Sequence, residues 1–436
     1  MKDKLSRCFA VAVFGALVLP FAYWNLFFDH CSQSWNYSCI HHSYSQSFNK
    51  SLKYISPALR EFLNRISAFG LPLTILDLPW LQCIGGVSGI CEQLSLRRQF
   101  LFGTEAYKAF AENITRIKPP LWQVSTTAAR ITVLIYNLRI GIVSVMHRGS
   151  YWLIPAVKEF NLPAYALKRY SVAAFNATSY LHVRYPYPLR EFLSELSEAE
   201  FIECQHEKAV AIRRQYASSN SSIPVINDTA IEQLAYFRDL LLSLHISPFL
   251  FGGTLLGWYR ECGIIPHTTD LDMAAFISQF VPQLVSVLKN DQRLTLYWML
   301  GKPSDSLELS VFTKSTKTTK IDLFFVYNDA NGSWVGGMIP YERKKLRWTY
   351  PRISRLCKAE LLNELFSVPC NVEEVLQADY GSNWSISVEE RNFLWYKSHK
   401  NVRTIGKYNT YEWMNVFRLF VRSKRNVSSR SPPTVT

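Results

Sequence analysis

Phe249-Leu-Phe-Gly-Gly-Thr-Leu-Leu-Gly-Trp-Tyr-Arg260, with Asp270-Leu-Asp272-Met273 close behind it, is the stretch whose reading decides the fold of this chain. Phe249, Leu250 and Phe251 form a short apolar run suited to a buried strand, and Gly252-Gly253 lets the backbone turn sharply and approach a ligand. Thr254 is then expected to cap a short helix, Leu255 to Arg260, whose first free N–H groups and dipole face an anion. In Asp270-Leu-Asp-Met-Ala-Ala-Phe276, strand alternation puts Asp270 and Asp272 on one face and Leu271 and Met273 on the other. Two carboxylates on one face repel unless a cation lies between them. Hard oxygen ligands select Mg²⁺ or Mn²⁺, which also neutralise a diphosphate. A third acid is expected on a neighbouring strand, and the β-forming run Lys320-Ile-Asp322-Leu-Phe-Phe-Val-Tyr327 supplies Asp322. Ser306-Leu-Glu308-Leu-Ser310 is a further alternating segment with its acid on one face. An isolated Asp-x-Asp is common in solvated loops; joined to the Gly-Gly turn and a later strand acid, it reads as a nucleotidyl- or phosphoryl-transfer centre.

A hydrophobic-Gly-Gly turn, an Asp-hydrophobic-Asp pair and a later strand Asp resemble the nucleotidyltransferase superfamily, and the local wording is similar to its LicD branch, the fukutin-like proteins most closely. The similar pieces are Phe201-Ile-Glu-Cys-Gln-His-Glu-Lys-Ala209, Gly253 to Pro266, Asp305-Ser-Leu-Glu-Leu-Ser310, Lys320-Ile-Asp-Leu-Phe-Phe325, Val368-Pro-Cys370 and Tyr380-Gly-Ser-Asn-Trp384, in the family's order. Upstream, only Met146-His-Arg-Gly-Ser-Tyr-Trp152 is similar. The chain departs from the pattern twice. Its interval from Gly253 to Asp270 is long for the superfamily, and His267-Thr268-Thr269 stands where bacterial LicD-type proteins tend to carry an extra Asp. The resemblance therefore implies Asp270, Asp272 and Asp322 as metal-binding and catalytic residues. Gly252, Gly253, Thr254 and Arg260 are expected on the phosphates, Arg260 through a bidentate fork.

The amino terminus bears on where this chemistry happens. Cys8 to Phe28 is apolar except for Pro20 and Asn25, and at about 1.5 Å per residue it spans roughly the 30 Å hydrocarbon layer. Lys2, Lys4 and Arg7 precede it and Asp29 follows, which orients the amino terminus to the cytosol and the body to the lumen. An uncleaved signal anchor is expected over a cleaved signal peptide, whose apolar region is shorter. Sequons begin at Asn36, Asn49, Asn113, Asn176, Asn220, Asn227, Asn331, Asn383 and Asn426, with Asn383 expected to be too buried to modify. Eight cysteines lie outside the span: Cys31, Cys39, Cys83, Cys91, Cys204, Cys262, Cys357 and Cys370. In an oxidising lumen their even number suggests disulfides; the spacings of Cys31 with Cys39 and of Cys83 with Cys91 permit local loops, and connectivity stays open. There is no Cys-x-x-Cys to favour zinc.

A net charge of +14 would ordinarily raise nucleic-acid binding, but a lumenal topology argues against a nucleic-acid partner. Lys314, Lys317 and Lys320, or Arg343, Lys344, Lys345 and Arg347 after a Gly336-Gly337 turn, are instead candidates to attract a nucleotide diphosphate. The expected architecture is α/β (α+β), a nucleotidyltransferase-like catalytic domain behind a separate N-terminal α/β region and one transmembrane helix. Its segments are a cytosolic tail 1–7, the anchor 8–28, a stalk 29–50, an N-terminal lumenal region 51–200, the catalytic domain 201–420 and a disordered tail 421–436. The N-terminal region is expected to contain a hairpin pairing Ile131–Tyr136 with Val143–Trp152, and a helix capped by Asn227-Asp228 to run to Ser247-Pro248.

What the resemblance implies is a Golgi enzyme that uses Mg²⁺ or Mn²⁺ to move a phospho-alditol, ribitol 5-phosphate, from a CDP-linked donor to a hydroxyl of an O-mannosyl, dystroglycan-type glycan, with other Golgi glycosyltransferases as partners. The alternatives are a LicD-like phosphocholine transferase and a non-catalytic partner that binds glycans or transferases. Trp258 and Tyr259 beside the turn would serve choline's trimethylammonium if they faced the donor, or the core if they did not.

Overall fold

The computed structural model describes residues 47–420, apart from 88, 118, 161, 169–174, 178–182, 187, 219–225, 227–228, 315–318 and 387–393. The expected anchor, Cys31, Cys39 and both tails therefore lie outside the described residues, as does the Asn227-Asp228 cap. Among the described residues no helix is long and apolar enough to cross a membrane.

The chain forms two compact units, both mixed α/β. The first comprises the described residues up to Val145 and those of 171–193. Its seven-stranded sheet uses β1 (Leu73–Ile75), β2 (Gln99–Thr104), β3 (Trp122–Thr126), β4 (Arg130–Ile135), β5 (Leu138–Ser144), β9 (Phe175–Ala177) and β10 (Val183–Pro186), in the order β3-β4-β5-β2-β1-β10-β9. The helix Pro57–Ser67 starts where Ser56 accepts the Leu59 N–H and Pro57 pre-sets the first turn; it buries Leu59, Phe62, Leu63 and Ile66. Phe62 meets Trp122 and Phe102, and Trp80 packs edge-on to Phe100. The expected hairpin pairs differently. β4 turns at Tyr136-Asn137 and pairs with β5 from Ile135↔Leu138, so the partner is Leu138–Ser144. Tyr136 takes a left-handed φ of 53°, which no glycine announces in the sequence.

The second unit comprises the described residues of 146–170 and those from Ser194 onward, so the boundary expected at 200 is corrected at its N-terminal side. Met146–Arg148 (β6), Tyr151–Ile154 (β7) and Tyr165–Lys168 (β8) form a three-stranded sheet tied to this unit by Tyr151 packing on Phe201 and by Arg148 pairing with Glu360 at 2.6 Å. The large sheet contains β11 (Phe249–Leu250), β12 (Asp270–Phe276), β13 (Leu294–Lys302), β14 (Asp305–Thr313), β15 (Lys320–Asp329), β16 (Gly332–Ile339), β17 (Lys344–Tyr350), β18 (Leu356–Leu361), β19 (Glu364–Pro369), β20 (Val402–Lys407) and β21 (Phe417–Leu419). Its main path is β18-β19-β11-β12-β15-β14-β13-β21, with β16, β17 and β20 branching from β15. Leu271, Met273, Ile321, Leu323, Leu309 and Val311 lie fully inside the core below the three central strands, as alternation requires. The helix Thr229–Ser243 covers this core through Ile231, Leu234, Phe237 and Leu241, and His245 is exposed beyond its end.

Gly336 and Gly337 lie in the middle of β16, not in a turn. A Cβ at Gly336 would stand 1.8 Å from Ser306 Oγ, and one at Gly337 would stand 2.8 Å from the Trp348 ring, so packing requires both glycines. Disulfides join Cys83–Cys91, Cys204–Cys262 and Cys357–Cys370. Cys204, His206 and Cys262 place their ligand atoms within 4.8 Å of one another, but the two sulfurs are bonded to each other and do not ligate while so joined.

Candidate active site

β11 ends at Leu250, Phe251 flanks the helix start, and the helix spans Gly252–Glu261, three residues earlier than its expected start. Thr254 is not its cap. It lies in the first turn, and its hydroxyl accepts the Asp272 N–H at 2.7 Å, stitching the helix to β12. The Gly-Gly pair makes room for a side chain: a Cβ on Gly252, which has φ +50°, would meet Asp272 Oδ2 at 2.8 Å. That same oxygen accepts the Gly253 N–H at 2.9 Å, so an Asp272 carboxylate oxygen already sits on the helix amino terminus where an anion is favoured.

Strand pairing assembles the acids. β12 and β15 run parallel with Asp270 opposite Lys320 and Asp272 opposite Asp322, and β14 places Ser310 opposite Asp322 on the other side. Lys320 Nζ bridges Asp270 at 3.1 Å and Asp322 at 2.9 Å, while Ser310 donates a short hydrogen bond to Asp322. Glu308, two residues before Ser310 on the same face, brings a fourth acid to the cleft. The three expected acids thus converge. Glu308 is not among the site residues expected from the sequence, although its alternation is visible there, and Lys320 is expected only as part of a basic cluster.

Burial raises the Asp272 carboxyl well above the usual range, with Asp270 and Asp322 adding to the shift and Lys320 and the Gly253 N–H opposing it. Burial likewise raises Asp322 against the pull of Lys320 and Ser310. Glu308 is pushed up to about 8 by burial and then by Asp322. Burial works against the Lys320 ammonium, but Asp322 and Asp270 outweigh it and raise its pKa. Four carboxylic groups share one ammonium. Hard oxygen donors in charge excess are the chemistry that suits a divalent cation.

A cleft of ≈ 1030 Å³ opens above these acids. Its lining includes Gly252, Gly253 and Arg260, the loop Tyr380–Trp384, and an aromatic group comprising Trp298, Trp348, Tyr350, Tyr380, Trp384 and Trp395. Trp395 is half-exposed and stacks on Trp348 at 6.1 Å. Trp258 and Tyr259 are core residues; Tyr259 bonds Glu373 and accepts from Gln205, so neither ring cages a donor group. Asn383, expected to be buried, is exposed on the cleft lining.

Arg260 departs from the expected fork. Its guanidinium is buried, paired with Glu261, and donates from Nη1 to the carbonyls of Trp384 at 3.4 Å and Ile386 at 3.3 Å. It pins one wall of the cleft. Of the expected basic residues, Lys320 and Arg260 line the cleft; Lys344 pairs with Glu342, Lys345 with Glu412, and Arg347 lies over Trp334, all outside the lining.

Residues 245–371, which contain the Gly-Gly turn and all four acids, match the LicD/FKTN/FKRP nucleotidyltransferase domain. The chain is 34% identical over 241 residues to the ribitol-5-phosphate transferase FKTN of Homo sapiens, covering 55% of this chain and 51% of that protein. The mouse counterpart is 34% identical over 230 residues, 52% of this chain and 49% of the relative. An uncharacterized Caenorhabditis elegans protein, T07A5.1, is 41% identical over 197 residues, 44% of this chain and 52% of the relative. The chain thus spans about half the length of the curated relatives it matches.

Proposed function

We propose, on the premise that residues 245–371 are a LicD-type nucleotidyltransferase domain, that the chain is a metal-dependent phosphotransferase moving ribitol 5-phosphate from CDP-ribitol to a hydroxyl of an O-mannosyl-type glycan. The observation that carries this reading is the register of β12, β15 and β14, which stacks Asp272 against Asp322 and Ser310 at a buried cleft floor. Asp270, Asp272, Asp322 and Glu308 would hold Mg²⁺ or Mn²⁺. When bound, the cation neutralises diphosphate charge and orients the group transferred. The helix terminus at Gly252-Gly253-Thr254 lies beside the donor phosphates, and Lys320 keeps the acid pair from collapsing or repelling before the donor arrives. Arg260 positions the Trp384–Ile386 wall and does not itself grip the anion. The aromatic faces of Trp348 and Trp395 suit a sugar ring or the cytosine base. The enzyme is Golgi-resident, anchored by residues 8–28 with its body in the lumen, and works beside other glycosyltransferases of that compartment.

Calorimetric titration of CDP-ribitol and CDP-choline with Mn²⁺, coupled to CMP release on a glycan acceptor, tests the reading. Asp272→Asn should abolish turnover while the protein is still secreted. Tighter binding and turnover of CDP-choline would instead select a phosphocholine transferase, which the aromatic wall could accommodate by cation–π contact. Binding of neither donor would favour a non-catalytic glycan- or transferase-binding role.

A further inference from the structure

We infer that His399, oriented by the buried carboxylate of Asp379, is the general base that takes the proton from the acceptor hydroxyl. The inference rests on reading the cleft as a phosphotransferase site, and it names a residue outside the matched domain.

Three of the four acids on the cleft floor are already engaged. Asp272 accepts the Gly253 N–H, Asp322 accepts from Ser310 and Lys320, and Asp270 is paired with Lys320. Their remaining lone pairs are needed for the cation, so the acceptor hydroxyl calls for a separate proton acceptor. Two histidines line the cleft, His267 and His399.

His399 Nδ1 lies 3.0 Å from Asp379 Oδ1. A carboxylate oxygen accepts, so Nδ1 carries the proton; in the neutral ring this leaves the lone pair on Nε2, the tautomer a base requires. Asp379 is itself held from several sides. It is fully buried in the last turn of the helix Val372–Tyr380, the Tyr350 hydroxyl bonds its side chain, and the Lys400 N–H bonds its carbonyl at 2.7 Å. Trp348 meets the imidazole edge-on at 6.3 Å and Tyr380 lies 5.1 Å from it. Among the described residues, the titratable groups around the ring include Asp379, Tyr350 and Tyr380, with Lys397 and Lys400 on its own segment. A pair serving stability alone has no need to line the same cleft as the acids, yet Asp379 and His399 both do.

In the step assigned, a lone pair of the acceptor oxygen forms a bond to the phosphorus that carries ribitol. The bridging P–O bond breaks with its electron pair leaving on CMP, and the hydroxyl proton passes to His399 Nε2 and then to solvent. Asp379 is a positioning residue, fixing the tautomer and stabilising the imidazolium.

The test uses the full chain with CDP-ribitol, Mn²⁺ and a glycan acceptor. His399→Gln and the isosteric Asp379→Asn should each lower kcat by about 10²–10⁴-fold, with CDP-ribitol affinity retained as the check on folding. Added imidazole should restore turnover to His399→Ala but not to Asp379→Asn. Wild-type kcat in both variants, with donor still bound, would overturn the assignment. A wild-type protein that binds the donor but never releases CMP would overturn the transferase reading, and this assignment with it.

Discussion

At the scale of single residues, the site is organised by one carboxylate. Asp272 is paired across the strand with Asp322, bonded at its own N–H by Thr254, and capped onto the helix through Gly253. Gly252→Ala should therefore act twice: a left-handed φ costs a residue with a Cβ about 1–2 kcal/mol, and the new methyl would displace Asp272 Oδ2. Mn²⁺ affinity should fall further than thermal stability does. Gly253→Ala meets only an ordinary contact at 3.4 Å and should fold like the wild type; equal losses for the two variants in thermal melts would refute this account. Glu308 makes a pH prediction. Burial pushes its carboxyl up to about 8, above the ordinary 4.5, so in the metal-free protein the native state holds a proton that the unfolded chain has lost. Stability should fall as pH rises through that window, by at most about 1.4 kcal/mol per unit, and level off above it. Urea melts of metal-free Glu308→Gln from pH 5 to 8 should show a shallower decline, and a slope identical to wild type would count against the raised pKa.

At the scale of elements, the strands carry the acids and the helix termini set the walls. The helix Gly252–Glu261 delivers Arg260 to Glu261 and to the carbonyls of Trp384 and Ile386, so the arginine ties one wall of the cleft to the scaffold. Removing one partner of a buried pair leaves the other charge uncompensated at a cost of about 3–5 kcal/mol. Arg260→Ala should thus lower the urea midpoint, and Arg260→Lys should not rescue it, since an ammonium lacks the planar fork. A variant as stable as wild type that had lost only donor binding would restore the anion-gripping role. The Arg260 position was legible in the sequence, but its partners were not, because Glu261 is a neighbour in sequence and the two carbonyls lie more than 120 residues away.

At the scale of the whole molecule, the proposed activity depends on topology. A carboxyl-terminal epitope in intact cells should resist protease until membranes are opened, and glycosidase should lower the apparent mass. Immediate digestion of that epitope, with no glycan on the chain, would place the body in the cytosol and remove the case for a glycan acceptor. Asn383 stands exposed on the cleft lining, so its sequon is open to modification, and Asn383→Gln separates its contribution from the rest. The three disulfides of the described residues accord with an oxidising compartment.

The sequence by itself determined the strands Asp270–Phe276 and Lys320–Tyr327 and the face on which their acids lie, because alternation with a period of two is a local property of the backbone. It also marked the Gly-Gly turn, whose need for a left-handed φ is local. Tertiary structure alone decided the rest. Strand register brought Glu308, Ser310 and Lys320 to Asp270 and Asp322, and no local pattern encodes which strand pairs with which. The same holds for the two-residue turn at Tyr136, for Gly336 and Gly337 within a strand against Ser306 and Trp348, and for Arg260 turned inward. Asp379 and His399 meet across twenty residues of chain only because a helix end and a following segment fold onto one wall, a long-range packing outcome that spacing does not announce.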